Sequence, residues 1–193
     1  MLESLLQLDT QVLIFLNHLG SEQWDGFWLA LTNQFHWSPM FALLLFLIFK
    51  KLGWKHGLLL LLFIAVMVAF SDQFTNFIKY SFERSRPCNT SGVAEKLRYF
   101  TYKPRGYSFY SGHASLSTTF TLFIFLLLRR HYKYLGFLFL FPLVFGYSRI
   151  YLGVHYPLDV CIGYLMGLFW GYVFYRLQKI LRVTNWFSSL KQL

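Results

Sequence analysis

Charge is scarce in this chain, and acid is scarcer still. Only 13% of its 193 residues are Asp, Glu, Lys or Arg, against about 25% in an ordinary soluble domain. The acids number 8 and the Lys and Arg 18. Cysteine is nearly missing: Cys88 and Cys161 stand alone, which excludes a disulfide framework. Cys161, inside an apolar run, is expected to be buried packing. Cys88 follows Arg86 and Pro87 in a loop and is not expected to pair with it. No Cys-x-x-Cys or His-Glu-x-x-His spacing occurs, so no metal and no other cofactor is expected. The N-terminus lacks the basic start and small-residue cleavage site of a signal peptide. No repeat or Ser- or Gly-rich linker interrupts the chain, and a single domain over residues 1–193 is expected.

What is present in quantity is apolar surface. Hydrophobic residues make up 56% of the chain, with Phe 23, Tyr 13 and Trp 6, and the mean hydropathy is +0.44. That composition excludes a soluble domain and suits a bilayer with aromatic belts at its surfaces. The expected fold is all-α, an integral membrane helical bundle of about five to six transmembrane helices. Spans are expected near residues 28–49, 57–78, 114–128, 134–147 and 157–177, with Pro39 kinking the first of them. Residues 1–19 carry leucines broken by Glu3, Asp9 and Asn17. Their apolar core is too short for a bilayer of about 30 Å, and an amphipathic helix lying in the interface is expected; a sixth span is the alternative.

Basic loops set the orientation. Lys50, Lys51 and Lys55 mark one cytoplasmic turn, Arg129, Arg130 and Lys133 a second, and Arg176, Lys179, Arg182 and Lys191 a cytoplasmic tail. The loop after the second span then falls on the opposite side, where positive charge is disfavoured. Yet Lys79, Arg84, Arg86, Lys96, Arg98, Lys103 and Arg105 all lie there. Topology gives no reason to keep them, whereas an anionic ligand does. The net charge of +10 is thus divided between cytoplasmic loops, anionic head groups and a ligand site. The expected partners are the lipid bilayer and an anionic ligand, with no nucleic acid.

Three polar strings punctuate the apolar runs. They are Lys79-x6-Arg86-Pro87, then Tyr110-Ser111-Gly112-His113, then Ser148-Arg149-x5-His155-x3-Asp159. His155 and Asp159, four residues apart, share a helix face, and Pro157 between them is tolerated only in a first turn. A carboxylate on one ring nitrogen fixes the tautomer and leaves the other nitrogen free to attack. His155 is therefore the candidate nucleophile and Asp159 its orienting group. Ser111, Gly112 and His113 open a helix whose free amides suit an anion, and Gly lets a phosphate approach closely. Lys79, Arg86 and Arg149 supply positive charge for phosphoryl transfer, which is mostly positioning and electrostatics. Lys79 also reads as a snorkelling lysine at a helix end. Asp72, within the second span, reads equally as a bundle-interior hydrogen bond or a functional acid. Arg84, Lys96, Arg98, Lys103 and Arg105 are read as gathering substrate or binding the rest of its head group, and none is assigned to catalysis.

These strings resemble the signature of the type 2 phosphatidic acid phosphatase superfamily, the integral-membrane lipid phosphate phosphatases: Lys-x6-Arg-Pro, Pro-Ser-Gly-His and Ser-Arg-x5-His-x3-Asp. The first and third match fully, and Tyr110 stands where the second has proline. The resemblance implies catalysis by His155, His113 and Asp159, with His113 as general acid. It implies phosphate binding by Lys79, Arg86, Ser111, Gly112 and Arg149, without a metal. The implied activity is hydrolysis of a lipid phosphate through a phosphohistidine, at a site on the extracytoplasmic face of the plasma (inner) membrane. Polyprenyl (undecaprenyl) diphosphate is the first expected substrate, ahead of phosphatidylglycerophosphate and phosphatidate. The alternatives are lipid A phosphatase, lipid phosphotransferase and, outside enzymes, a lipid or anion transporter.

Overall fold

The structure, a computed structural model, describes residues 2–181 and 183. It is all-helical among these residues: α1 (Leu2–His18), α2 (Glu22–Leu31), α3 (Ser38–Phe82), α4 (Gly112–Leu128), α5 (Leu140–Tyr151) and α6 (Pro157–Ile180). Short 3-10 turns precede α3 and α5 and mark the loop between α3 and α4. The fold is a membrane-embedded helical bundle.

The long α3 is two antiparallel legs. Gly53 separates them with φ 70° and ψ 176°, a backbone region open in practice only to glycine. On the first leg Phe41 meets the ring of Phe120 in α4. On the second, Phe63 meets Phe123, and Thr75 lies against Gly112 at the start of α4. With α4, α5 and α6 the legs make five crossings, as the hydropathy predicts.

The start of the first crossing differs from the sequence reading. Residues 22–31 form their own helix, so the first crossing begins at Ser38 and not near Trp28. Pro39 consequently sits in the first turn of α3, where its missing N–H is harmless, and does not kink a span. Cys161 is also corrected: it is exposed, on the outward side of α6, and not packed inside. Lys50, Lys51, Lys55, Arg129, Arg130, Lys133, Arg176 and Lys179 gather at one end of the bundle; Arg182 and Lys191 lie outside the described residues.

α1 lies across the opposite end. Its Asp9 accepts from the amide of Leu158 at 2.8 Å, its Leu13 packs with Ala114, Ile150 and Val160, and its Asn17 donates to the carbonyl of Tyr151 at 2.6 Å. These partners are ends of α4, α5 and α6. The polarity of α1 is inverted: Asp9, Leu13 and Asn17 are buried, while Leu5, Leu6, Leu8 and Phe15 are exposed. The residues that break its apolar run are the ones that dock it.

α6 and α4 approach most closely. Gly163, Gly167 and Gly171 repeat every four residues on one face of α6, and a Cβ at each would lie 2.7, 2.6 and 2.9 Å from the carbonyl oxygens of Ser111, Ser115 and Thr119. Small residues at this spacing let membrane helices pack backbone to backbone.

Candidate active site

All three polar strings converge at the end covered by α1. Lys79 sits in the last turn of α3, Gly112 and His113 open α4, Arg149 lies near the end of α5, and Asp159 is in the first turn of α6. His155 stands in the short connection between α5 and α6, with its amide on the carbonyl of Arg149 at 3.3 Å.

His155 is 1% exposed and Asp159 0%, so their geometry is set by protein and not by solvent. Nδ1 of His155 faces Oδ2 of Asp159 at 3.5 Å, and Nε2 faces Nη1 of Arg86 at 3.1 Å. Arg86 is also fixed by the carbonyls of Gly106 (3.1 Å) and Val154 (3.2 Å). Burial first, and then the charges of Arg86, Arg149 and Lys79, hold the pKa of His155 well below the usual imidazole range. Its ring is neutral at neutral pH, with a lone pair at Nε2.

Arg149 is almost wholly buried. Its guanidinium hydrogen-bonds the hydroxyl of Thr32, just past α2, and that of Tyr102 at 3.2 Å. Lys79 approaches the first turn of α4: a Cβ on Gly112 would lie 3.8 Å from its Nζ. Ser111 is fully buried and its hydroxyl accepts from the amide of Ala114 at 3.5 Å, capping α4. Tyr110, the departure in the second string, is a buried side chain whose hydroxyl accepts from Thr75 at 3.3 Å.

His113 lies beside this cluster and lines a cleft of about 530 Å³. Lys79, Gly112 and His113 form its polar head, and Phe41, Val68, Leu116, Phe120, Phe141 and Phe145 its apolar walls. The His113 ring lies 5.1 Å from that of Phe145. Asp72 lines the cleft as well and accepts from Asn76 at 3.2 Å; it is exposed there, not in the bundle interior. Lys79 is the one Lys or Arg among the described residues that line this cleft, and a polar head of Lys79, Gly112 and His113 above apolar walls is complementary to a phosphate on a lipid.

A sequence profile of the PAP2 superfamily matches residues 58–182. The chain belongs to the PAP2 superfamily. It is 36% identical over 178 residues to the lipid A 4'-phosphatase of Bacteroides thetaiotaomicron, covering 91% of this chain and 79% of that one. The lipid A 4'-phosphatase of Porphyromonas gingivalis is 27% identical, over 97% of this chain and 80% of its own. An undecaprenyl-diphosphatase of Sulfolobus acidocaldarius is 33% identical, over 70% and 60%. Among solved structures, the transmembrane PAP2 type phosphatidylglycerolphosphate phosphatase of Bacillus subtilis superposes with a TM-score of 0.71 at 18% identity, covering 93% of this chain and 88% of that one. Aquifex aeolicus LpxE gives 0.58 at 26% identity, over 86% and 93%. The chain is thus a PAP2 membrane enzyme, a hydrolase of lipid phosphate esters.

Within this PAP2 frame the structure adds residues that sequence reasoning passed over. Arg84 does not reach toward bulk substrate: Nη1 donates to Oδ1 of Asp159 at 2.6 Å and Nη2 to Oδ2 of Asp9 at 2.7 Å. Arg98 is likewise turned inward, onto Asp25 at 2.8 Å. Thr32 and Tyr102, which grip Arg149, belong to a helix end and a loop that carry no motif. Asp9 did leave a trace, as one of the polar residues that break the leucine run of α1.

Proposed function

We propose that this PAP2 enzyme removes phosphate from a lipid through a phosphohistidine at His155, acting as one unit on the extracytoplasmic leaflet. The supporting observation is the placement of His155, with one nitrogen toward a buried carboxylate and the other on the guanidinium of Arg86. Nε2 attacks phosphorus, the bond from phosphorus to the lipid oxygen breaks, and His113 gives that oxygen its proton. Water then attacks phosphorus and loses a proton to His113, while the phosphorus–nitrogen bond breaks and its electron pair returns to Nε2. Free phosphate leaves, and both histidines return to their starting state.

Lys79, Arg86 and Arg149 hold the equatorial oxygens, Arg gripping two at once where geometry allows. The Gly112 amide serves them from the helix start, and Ser111 joins by turning its hydroxyl out of the cap. The three cations carry the charge that a metal carries in other phosphatases, so turnover survives EDTA. The lipid tail lies in the cleft between α3, α4 and α5. The facing of the site follows from the basic residues at the far end of the bundle, which mark the cytoplasm.

Polyprenyl diphosphate is the first substrate, because recycling such a carrier needs a phosphatase on that leaflet. Lipid A is the second, favoured by two relatives of that name that align over nearly the whole chain. The test is phosphate release by the purified protein in micelles over a panel of lipid phosphates, with EDTA and with mixed lipids as acceptors. Wild type should turn over at least one lipid in EDTA, and His155→Ala none. Undiminished turnover by His155→Ala would sink the mechanism, and phosphate appearing on a second lipid would make the enzyme a transferase.

A further inference from the structure

We infer that Arg84 and Asp9 are positioning residues for the nucleophile, wiring the N-terminal helix to the catalytic pair. The inference rests on His155 being the attacking group. Arg84 lies two residues before Arg86 in the first string, with its guanidinium over the ring of Tyr156 at 3.9 Å. From there it bridges the two carboxylates, Asp159 at 2.6 Å and Asp9 at 2.7 Å. Asp9 is held in turn by the amide of Leu158 at 2.8 Å, and Asp159 by the amide of Tyr156 at 3.0 Å.

Two physical consequences follow. The first is orientation. A carboxylate on a single hydrogen bond swings, whereas Asp159 is fixed at both oxygens. That leaves Oδ2 as the atom presented to Nδ1 of His155 and selects Nε2 for attack.

The second is electrostatic. His155 is faced by Lys79 from α3, Arg86 from the following loop, His113 from α4 and Arg149 from α5. Against these stands Asp159 from α6. Arg84 alone would cancel Asp159 and leave the imidazole opposed only by cations. Asp9 cancels Arg84, so the trio of two carboxylates and one guanidinium keeps a net charge of −1. In a buried site that restored negative charge favours the imidazolium-like phosphohistidine. A merely structural ion pair would need one carboxylate, not two.

The experiment compares kcat and KM for Asp9→Asn, Arg84→Gln and the double variant, each per folded molecule, with the melting temperature measured alongside. The substrate is whichever lipid phosphate wild type turns over. Asp9→Asn keeps size but removes the charge and sets an amide N–H against one of two donors, Arg84 or the Leu158 amide. It should lower kcat about tenfold, the lower end of what losing an outer partner of an oriented histidine costs, with KM held. Arg84→Gln should lose nearer a hundredfold, and the double variant should be no slower than Arg84→Gln alone, because Asp9 acts through Arg84. Wild-type kcat in Asp9→Asn overturns the inference. So do losses that multiply in the double variant, a change confined to KM, or a deficit that vanishes once unfolded protein is discounted. Activity in His155→Ala would overturn the nucleophile instead. A dead His155→Ala beside a fully active Asp9→Asn would overturn this wiring alone.

Discussion

Gly163→Ala and Gly171→Ala make the same chemical change at two heights of one helix contact, and they should have different effects. At Gly163 the new Cβ would meet the carbonyl oxygen of Ser111 at 2.7 Å, about 0.7 Å inside the 3.4 Å of ordinary contact. At Gly171 it would meet that of Thr119 at 2.9 Å, about 0.5 Å inside. Neither obstacle is a movable side chain, so α4 and α6 must separate. Overpacking of this kind costs about 1–3 kcal/mol at either site. The catalytic cost differs. Gly163 is one turn from Asp159, and Ser111 is two residues before His113, so the full displacement falls between His113 and His155, the proposed general acid and nucleophile. A misplacement near 1 Å costs about a hundredfold, and 0.7 Å should lower kcat by about ten- to a hundredfold. Gly171 lies about 12 Å further along the axis at 1.5 Å per residue, beyond the reach of the site, and its variant should keep kcat near wild type. Thermal unfolding in micelles reads the first quantity and phosphate release per folded molecule the second. Equal loss of kcat in both variants, or full activity in Gly163→Ala, would refute the reasoning.

The low pKa of His155 predicts acid sensitivity. The unfolded chain takes up a proton at this side chain below about pH 6.5, while the folded ring stays neutral to lower pH. The unfolded state then binds more protons, so stability is full above about pH 6.5 and declines as pH falls through that value. His155→Asn should flatten this part of the melting curve against pH, and an unchanged slope would contradict the buried neutral ring. For orientation, single cysteines placed at Lys96 and Lys133, without Cys88 and Cys161, should label oppositely with an impermeant thiol reagent on intact cells. Lys96→Cys should react and Lys133→Cys should not; the reverse pattern would turn the site to the cytoplasm.

The spans and the three strings were legible because each rests on a local rule: runs of apolar residues, basic loops, and fixed spacing along a helix. Their convergence followed from counting crossings. What escaped was long-range. Thr32 and Tyr102 reach Arg149 from segments without periodicity, and nothing in their sequence marks them. Arg84 looked like one more surface cation, since a sequence does not show which of seven positive charges turns inward. The first crossing was begun too early because Trp28 to Leu31 is apolar and runs on toward the span; the break at Thr32 and Asn33 is made by turn chemistry. The glycines at 163, 167 and 171 were readable as a small-residue stripe, a signal present in the chain and passed over.

The inverted polarity of α1 bears on the order of assembly. This helix is made before the groups it docks on: Arg84 is 75 residues downstream of Asp9 and Leu158 is 149. Chains are synthesised at about 5–20 residues per second, so Asp9 and Asn17 wait many seconds for the groups that will satisfy them. During that time the exposed leucines and Phe15 can rest in the lipid surface while the polar stripe stays hydrated in the head-group layer. Rolling that stripe onto the bundle end needs α6 to be in place. α1 is therefore made early and docked late, and Asp9 and Arg84 close on Asp159 only once α6 is in place.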